Sequence, residues 1–310
     1  MADNVESASE TNAAASVVRA VERQFDRLFA RRLGPGLYLV ATPIGNLGDV
    51  GIRALATLAQ CDAIYCEDTR RTRILLDHYG IDVPLRSYHE HNAARERPAI
   101  LAKLAAGERI GLVSDAGTPL VSDPGYKLVR AAIDDGHGVF AIPGASAVLA
   151  ALTASGLPTD QFVFAGFLPN KSAARRTRLG ELAGLGGSIV LFETAPRVAA
   201  SLADAADVLG GERPAVVARE LTKLHETFAR GSLADLARTI GEPQGEIVVV
   251  IGPAAAPAAV DDETIDARLR SLLSTTSVKD AARQVAEEFQ IGRSRAYERA
   301  LALKTEGETS

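Results

Sequence analysis

The stretch Leu37-Tyr38-Leu39-Val40-Ala41-Thr42-Pro43-Ile44-Gly45-Asn46-Leu47-Gly48-Asp49 decides the fold. Its first half is a short, unbroken apolar run, which suits a strand buried on both faces. Its second half turns to Pro, Gly and Asn, residues that end a strand in a turn. The same pattern recurs downstream at 63–66 (AIYC), 109–114 (RIGLVS), 139–143 (VFAIP), 162–167 (FVFAGF), 188–193 (SIVLFE), 215–220 (AVVARE) and 246–252 (EIVVVIG). Between these runs, segments such as ILAKLAAGE and AASLADAADVLGG repeat Ala and Leu at helical spacing. Strands alternating with helices predict an α/β protein built on mostly parallel sheet.

Working outward, Gly156-Leu157-Pro158-Thr159-Asp160 separates the early units from the later ones. It divides a first α/β domain (36–157) from a second (160–253). In the second, HETFARGSL (225–233) alternates like an exposed antiparallel strand, which predicts a mixed sheet. Ahead of the body, residues 1–33 form an extension. Residues 1–15 are polar and aperiodic, which predicts disorder. From Ser16, Val17, Val21, Phe25, Leu28 and Phe29 recur at helical spacing until Gly34-Pro35-Gly36 stops them. After Pro253 comes a linker composition, AAAPAA, then an acidic DDETID. The segment 262–304 then reads as a helix-turn-helix-like hairpin, with Val278, Ala281, Ala282 and Val285 on one face and Tyr297, Ala300 and Leu301 on the other.

The 310 residues are 47% hydrophobic, enough for two ordinary cores, and carry a net charge of −5. That balance excludes a protein that coats nucleic acid by bulk attraction, while leaving room for a local basic patch. Cys61 and Cys66 make neither a disulfide scaffold nor a CxxC knuckle. No apolar run reaches the roughly 18 residues of a membrane helix. The acidic N-terminus is the reverse of a signal peptide, so a cytoplasmic protein without a membrane partner is expected. His89-Glu90-His91 lacks further ligands, and no metal is expected.

In an open parallel sheet, ligands sit beyond the carboxyl ends of the strands. There the chain places Thr42–Asp49, Glu67-Asp68-Thr69-Arg70-Arg71, Asp115-Ala116-Gly117-Thr118-Pro119 followed by Ser122-Asp123-Pro124-Gly125, and Pro143-Gly144-Ala145-Ser146-Ala147. Each alone is ordinary turn chemistry. Four small-residue loops on one edge, with helix N-termini behind them, favour a small-molecule site. No G-x-G-x-x-G and no G-x-x-x-x-G-K-[ST] follows any strand, so the common dinucleotide and phosphate loops are missing.

LYLVATPIGNLGD, YCEDTRRTRILL, SYHEHN, VSDAGTPLVSDPG and PGASA, in this order, resemble the tetrapyrrole methylase family, specifically its ribosomal RNA branch. The likeness is dense over 36–253, includes GFLPNK, LFETAPR and the C-terminal hairpin, and leaves out residues 1–33. It implies two α/β domains holding S-adenosylmethionine in their cleft, near Pro43, Asp115, Gly117, Thr118, Ser146, Ala147 and Phe192. It also implies a homodimer and 2′-O-methylation of a cytidine in the decoding region of small-subunit (16S) ribosomal RNA, as naked RNA or in the assembled subunit.

Methyl transfer to a ribose hydroxyl calls for a proton acceptor. Glu67, Asp68, His89 and Glu90 are the candidates. Asp68 reads equally as the cap of a helix starting at Thr69, which leaves Glu67 the better base. RNA calls for cations, and Lys171, Arg175, Arg176 and Arg178 form the densest run without an acid. Its alternative is a solvated helix face. Arg70 is a further RNA candidate, and Arg293, Arg295 and Arg299 make a second patch. Arg197 either binds phosphate or pairs Glu193. Three rivals stand: a small-tetrapyrrole methylase, a non-catalytic RNA-binding assembly protein, and a nucleotide-binding enzyme. Residues 1–33 carry no motif and are expected to be dispensable for catalysis.

Overall fold

The computed structural model describes residues 3–254, 260–289 and 291–308, with side chains for those between 12 and 305. The expected linker therefore lies, from residue 255 to 259, outside the described residues. The chain divides into two compact units, Met1–Pro253 and Ala254–Ser310.

The first unit opens with α1 (Asp3–Ala30). Where composition predicts disorder up to residue 15, helix already runs from Asp3. The stretch holds no Gly or Pro and has four Ala residues, so nothing terminates it. The first sheet comprises β1 (Gly36–Val40), β2 (Ala63–Cys66), β3 (Leu85–Ser87), β4 (Arg109–Leu112) and β5 (Val139–Ile142), in the order β3-β2-β4-β1-β5. Every pairing is parallel. Alternate residues feed opposite faces, as the pleat requires. Tyr38, Val40, Ile64 and Cys66 pack on one side with Leu58 and Leu76. Leu37, Tyr65 and Ile110 pack on the other with Ile100 and Leu128. The covering helices are α2 (Ile52–Gln60), α3 (Thr69–His78), α4 (Ala93–Ala105) and α5 (Tyr126–Asp134).

Helix α6 (Ala147–Ser155) leads to the second sheet, which comprises β6 (Phe162–Phe167), β7 (Ser188–Thr194), β8 (Pro214–Arg219), β9 (Thr227–Ser232) and β10 (Glu246–Ile251). Their order is β6-β7-β10-β8-β9. Only β6 and β7 run parallel, so the sheet is mixed, with the 225–233 segment supplying its antiparallel edge. Helices α7 (Ser172–Ala183), α8 (Val198–Leu209) and α9 (Leu233–Thr239) cover one face. The other face buries Val190, Val216 and Val250 against Val148 and Leu152 of α6. Ile44, from the loop after β1, enters that same cluster, so apolar burial joins the two sheets.

The second unit has three described helices, α10 (Asp262–Leu273), α11 (Val278–Glu288) and α12 (Arg293–Glu308), around Ile265, Leu269, Ala282, Val285, Ala296 and Ala300. The buried face of α12 is Ala296, Ala300 and Leu303. Tyr297 and Leu301 are instead exposed, by 43% and 44%. The helix α10 adds a third wall, and α12 turns its small residues inward to meet it.

Candidate active site

The loops leaving β1 and β4 are joined by reciprocal backbone hydrogen bonds. Thr42 N–H donates to the Gly117 carbonyl at 2.9 Å, and Gly117 N–H to the Thr42 carbonyl at 3.1 Å. Gly117 has φ of 81°, and a Cβ there would meet Ile44 Cγ2 at 3.1 Å, so only glycine suits the place. The Ser114 hydroxyl donates to the Gly117 carbonyl at 3.1 Å, and Thr118 Oγ1 to the Ala145 carbonyl at 3.2 Å. Ser146 caps α6 through its hydroxyl. The loops after β1, β4 and β5 thus form one rigid rim.

This rim opens on a cavity of about 350 Å³, the size that encloses a cofactor-sized ligand. Asp115, Gly117, Thr118, Ser146, Ala147 and Phe192 all line it. Pro43 does not. It faces an adjoining recess of about 120 Å³ that shares Arg71 and Asp115 with the main cavity, because the loop turns away before Ile44 re-enters. Opposite the rim stand Phe167 and Phe192, 5.5 Å apart between ring centroids, and the start of β10 at Gly245–Val248. Leu120 and Ser122 hold φ of 73° and 63°, and Glu220 and Thr222 hold 52° and 65°. Ser122 lines the cavity directly, and Leu221, between the second pair, lines it too. Non-glycine residues in the left-handed region persist where surrounding structure fixes them, and such strain gathers at ligand sites.

Residues 36–237 match the family of Tetrapyrrole (Corrin/Porphyrin) Methylases. The chain belongs to the tetrapyrrole methylase family. Residues 258–304 of this methylase match the RsmI C-terminal HTH domain. The methylase is 51% identical over 283 residues to the Ribosomal RNA small subunit methyltransferase I of Mesorhizobium japonicum, covering 90% of this chain and 96% of that protein. It is 46% identical over 276 residues to the protein of the same name from Synechocystis, covering 87% and 99%. Its fold is similar to that of uroporphyrin-III C-methyl transferase from Thermus thermophilus complexed with S-adenyl homocysteine. That likeness has a TM-score of 0.51 at 18% identity and covers 70% of this chain and 97% of that one.

The base candidates of the methylase fall outside the cavity wall. Asp68 is the N-cap of α3, accepting from Arg70 N–H at 2.9 Å, and Arg70 grips it with Nε at 3.0 Å and Nη2 at 2.7 Å. The guanidinium beside it and that capping bond pull Asp68 down to about 2, which makes it a poor proton acceptor. Arg70 makes this contact at the surface, its side chain 89% exposed. Glu67 and Glu90 are exposed. His89 uses its backbone N–H to reach Asn92 Oδ1 at 2.9 Å, and its buried Nδ1 has no partner.

Asp123 lines the cavity, together with the carboxylates of Asp115, Glu193 and Glu246. Burial pushes it up to about 6, helped by the negative charges of Glu67 and Asp115. The second Gly/Asp/Pro turn after SDAGTP was its sequence signal, though turn chemistry alone explained that text. Arg71 was likewise missed. It lines the cavity, with Nε 3.7 Å from Asp115 Oδ2.

The basic run at 171–178 is largely neutralised. Arg175 is buried, with Nε and Nη2 on Asp204 Oδ2 at 2.7 and 2.6 Å and Nη1 on the Asn170 carbonyl at 3.2 Å. Arg176 spans Asp204 and Asp207, and Arg178 pairs Glu181. The expected exposed patch is therefore an ion-pair network between α7 and α8, leaving Lys171 exposed at the cap. Arg197 pairs Glu193 at 3.4 Å and donates to the Leu168 carbonyl at 2.7 Å, which makes it a brace rather than a phosphate ligand. In the C-terminal unit Arg293 pairs Glu287, Arg295 pairs Asp262, and Arg299 pairs both Asp262 and Asp266.

Proposed function

We propose that this methylase transfers a methyl group from S-adenosylmethionine to the ribose 2′-hydroxyl of a cytidine in the decoding region of 16S ribosomal RNA. The carrying observation is the cavity of about 350 Å³ between the two sheets, rimmed by the loops after β4 and β5, within a chain half identical to relatives named for small-subunit ribosomal RNA methylation. The residues present suit the donor. Gly117 keeps the rim open where a Cβ would fill it, Asp115 offers an acceptor to ribose hydroxyls or the amino group, and Ile44, Val148, Leu221 and Val248 supply apolar wall for a purine.

When bound, the donor supplies an electrophilic methyl on a sulfonium. The rim then holds its partner groups in fixed positions, and such placement accounts for much of the acceleration in an in-line displacement. Asp123 takes the proton from the 2′-hydroxyl as that oxygen becomes the nucleophile, a role its raised pKa suits near neutral pH. Arg71, beside Asp115, holds the first-sheet loops in register. A small-tetrapyrrole substrate is the weaker reading, because the chain carries the C-terminal domain of the RNA-directed relatives. The same reading places the protein in the cytoplasm as a homodimer, with residues 36–157 and 160–253 as its two catalytic domains. Among the described residues no helix is long and apolar enough to cross a membrane.

Transfer of labelled methyl from S-adenosylmethionine to purified small subunits, compared with naked 16S RNA and with uroporphyrinogen, tests this function. Label in RNA supports it. Label only in the tetrapyrrole overturns it.

A further inference from the structure

Arg19, Arg23 and Arg27 recur every four residues along α1, a slanting row on one side of the helix, and Arg31 follows directly after its last residue. The C-terminal end of α1 is fixed to the body through α2: Gln60 Nε2 donates to the Leu28 carbonyl at 3.4 Å, and Leu33 N–H to Gln60 Oε1 at 3.2 Å. Between α1, α2 and the free edge of β5 lies a groove of about 640 Å³. Arg27, Arg31, Arg32 and Arg53 line it, and no acidic residue does. All four are exposed, and among the described residues none has a carboxylate within ion-pair distance. Phe140, stacked on Tyr38 at 4.9 Å, presents a 43% exposed ring to the same groove.

These features contrast with the other basic clusters, whose arginines are nearly all held by acids. A concave, acid-free row of guanidinium groups beside an open aromatic face suits a nucleic-acid backbone with an unstacked base. At its β5 end the groove includes Ile142, four residues before Ser146, which lines the donor cavity. We infer that α1 and the β5 edge form a docking groove for the phosphate backbone of the substrate RNA, leading into the methyl-transfer site. This rests on the RNA-methylation reading above. Self-association through this face is disfavoured, because a two-fold pairing sets the same unpaired arginines against one another.

The groove also refines the expectation for residues 1–33. Their removal leaves the chemical step intact but weakens substrate binding. The test is the full-length triple variant Arg27→Gln/Arg31→Gln/Arg53→Gln, titrated with a decoding-region RNA fragment from 50 to 200 mM salt. Its slope of log affinity against log salt is expected to be shallower by roughly two to three, at about one phosphate per arginine. KM for RNA should rise at least tenfold with kcat within twofold, while S-adenosylmethionine affinity and thermal stability match the parent. Parent-like RNA affinity and salt slope in the variant overturn the inference. So does a change confined to sedimentation, which assigns the groove to a second copy, or to binding of phosphatidylglycerol vesicles, which assigns it to a membrane surface. If the parent itself neither binds nor methylates RNA, the functional reading fails first, and the two failures are thereby distinguished.

Discussion

Asp115 Oδ1 accepts a hydrogen bond at 2.9 Å from the backbone N–H of Asp68, so the loop after β4 is tied to the start of α3 across the sheet edge. One carboxylate thus shapes the cavity wall and fixes the neighbouring loop. Asp115→Ala is predicted to weaken S-adenosylmethionine binding by roughly ten- to a hundredfold, the loss expected for a charged hydrogen-bonding group. Asp115→Asn, which keeps an acceptor for Asp68, should lose less. Calorimetric titration of both variants checks the order, and equal affinity in parent and Asp115→Ala removes this residue from the donor site.

Asp123 sets a pH dependence. With its carboxyl raised to about 6, kcat/KM should climb with pH below that value and level off above it. Asp123→Asn should abolish the rise and most of the rate, whereas Asp68→Asn should leave the profile unmoved. The linkage sign is opposite for stability. A folded-state value above the ordinary 3.8 means the stabilising contribution of the protonated carboxyl is complete below about 4 and is lost as pH rises through about 6. Asp123→Asn should therefore melt above the parent at pH 8 and close to it at pH 4. An unchanged difference in Tm between these two conditions contradicts the placement of Asp123.

Arg175 and Asp204 are a structural pair. Arg175→Ala removes the buried partner of the 11% exposed Asp204, which keeps Arg176 at 3.2 Å and the Ser172 hydroxyl at 2.9 Å, and a cost of about 1.5–3 kcal/mol is expected from the lost charged hydrogen bonds. The double change Arg175→Met/Asp204→Leu should recover much of it. Urea unfolding of the three proteins decides. A loss below 1 kcal/mol in Arg175→Ala would mean the pair is open to solvent.

Gly117→Ala tests the rim. At φ of 81°, with Ile44 Cγ2 at 3.1 Å from the added carbon, it should cost about 1–2 kcal/mol and lower donor affinity through the narrowed cavity. Parallel stability and binding curves separate the two effects.

The apolar runs made nearly every strand legible, because strands buried on both faces must be continuously apolar. The strand β3 escaped notice since Leu85-Arg86-Ser87 is three residues long with a single apolar member. The helix α10 was not separated from the hairpin read over 262–304, because its acidic first turn carries no apolar periodicity, although it suits a helix N-terminus. The donor loops were legible because each is a cluster of small residues directly after a strand. The charged residues were not. Arg175 reads as free because Asp204 lies 29 residues on, and no local pattern announces that meeting. Asp123 reads as a turn residue until burial and two neighbouring carboxylates set its chemistry.

Ribose-methylation mapping of small-subunit RNA at nucleotide resolution, with and without this protein, decides whether it methylates a cytidine 2′-hydroxyl. One decoding-region cytidine is expected to lose its 2′-O-methyl signal without the protein and to regain it with the parent chain but not with Asp123→Asn. An identical methylation map in the presence and absence of the protein would contradict this function.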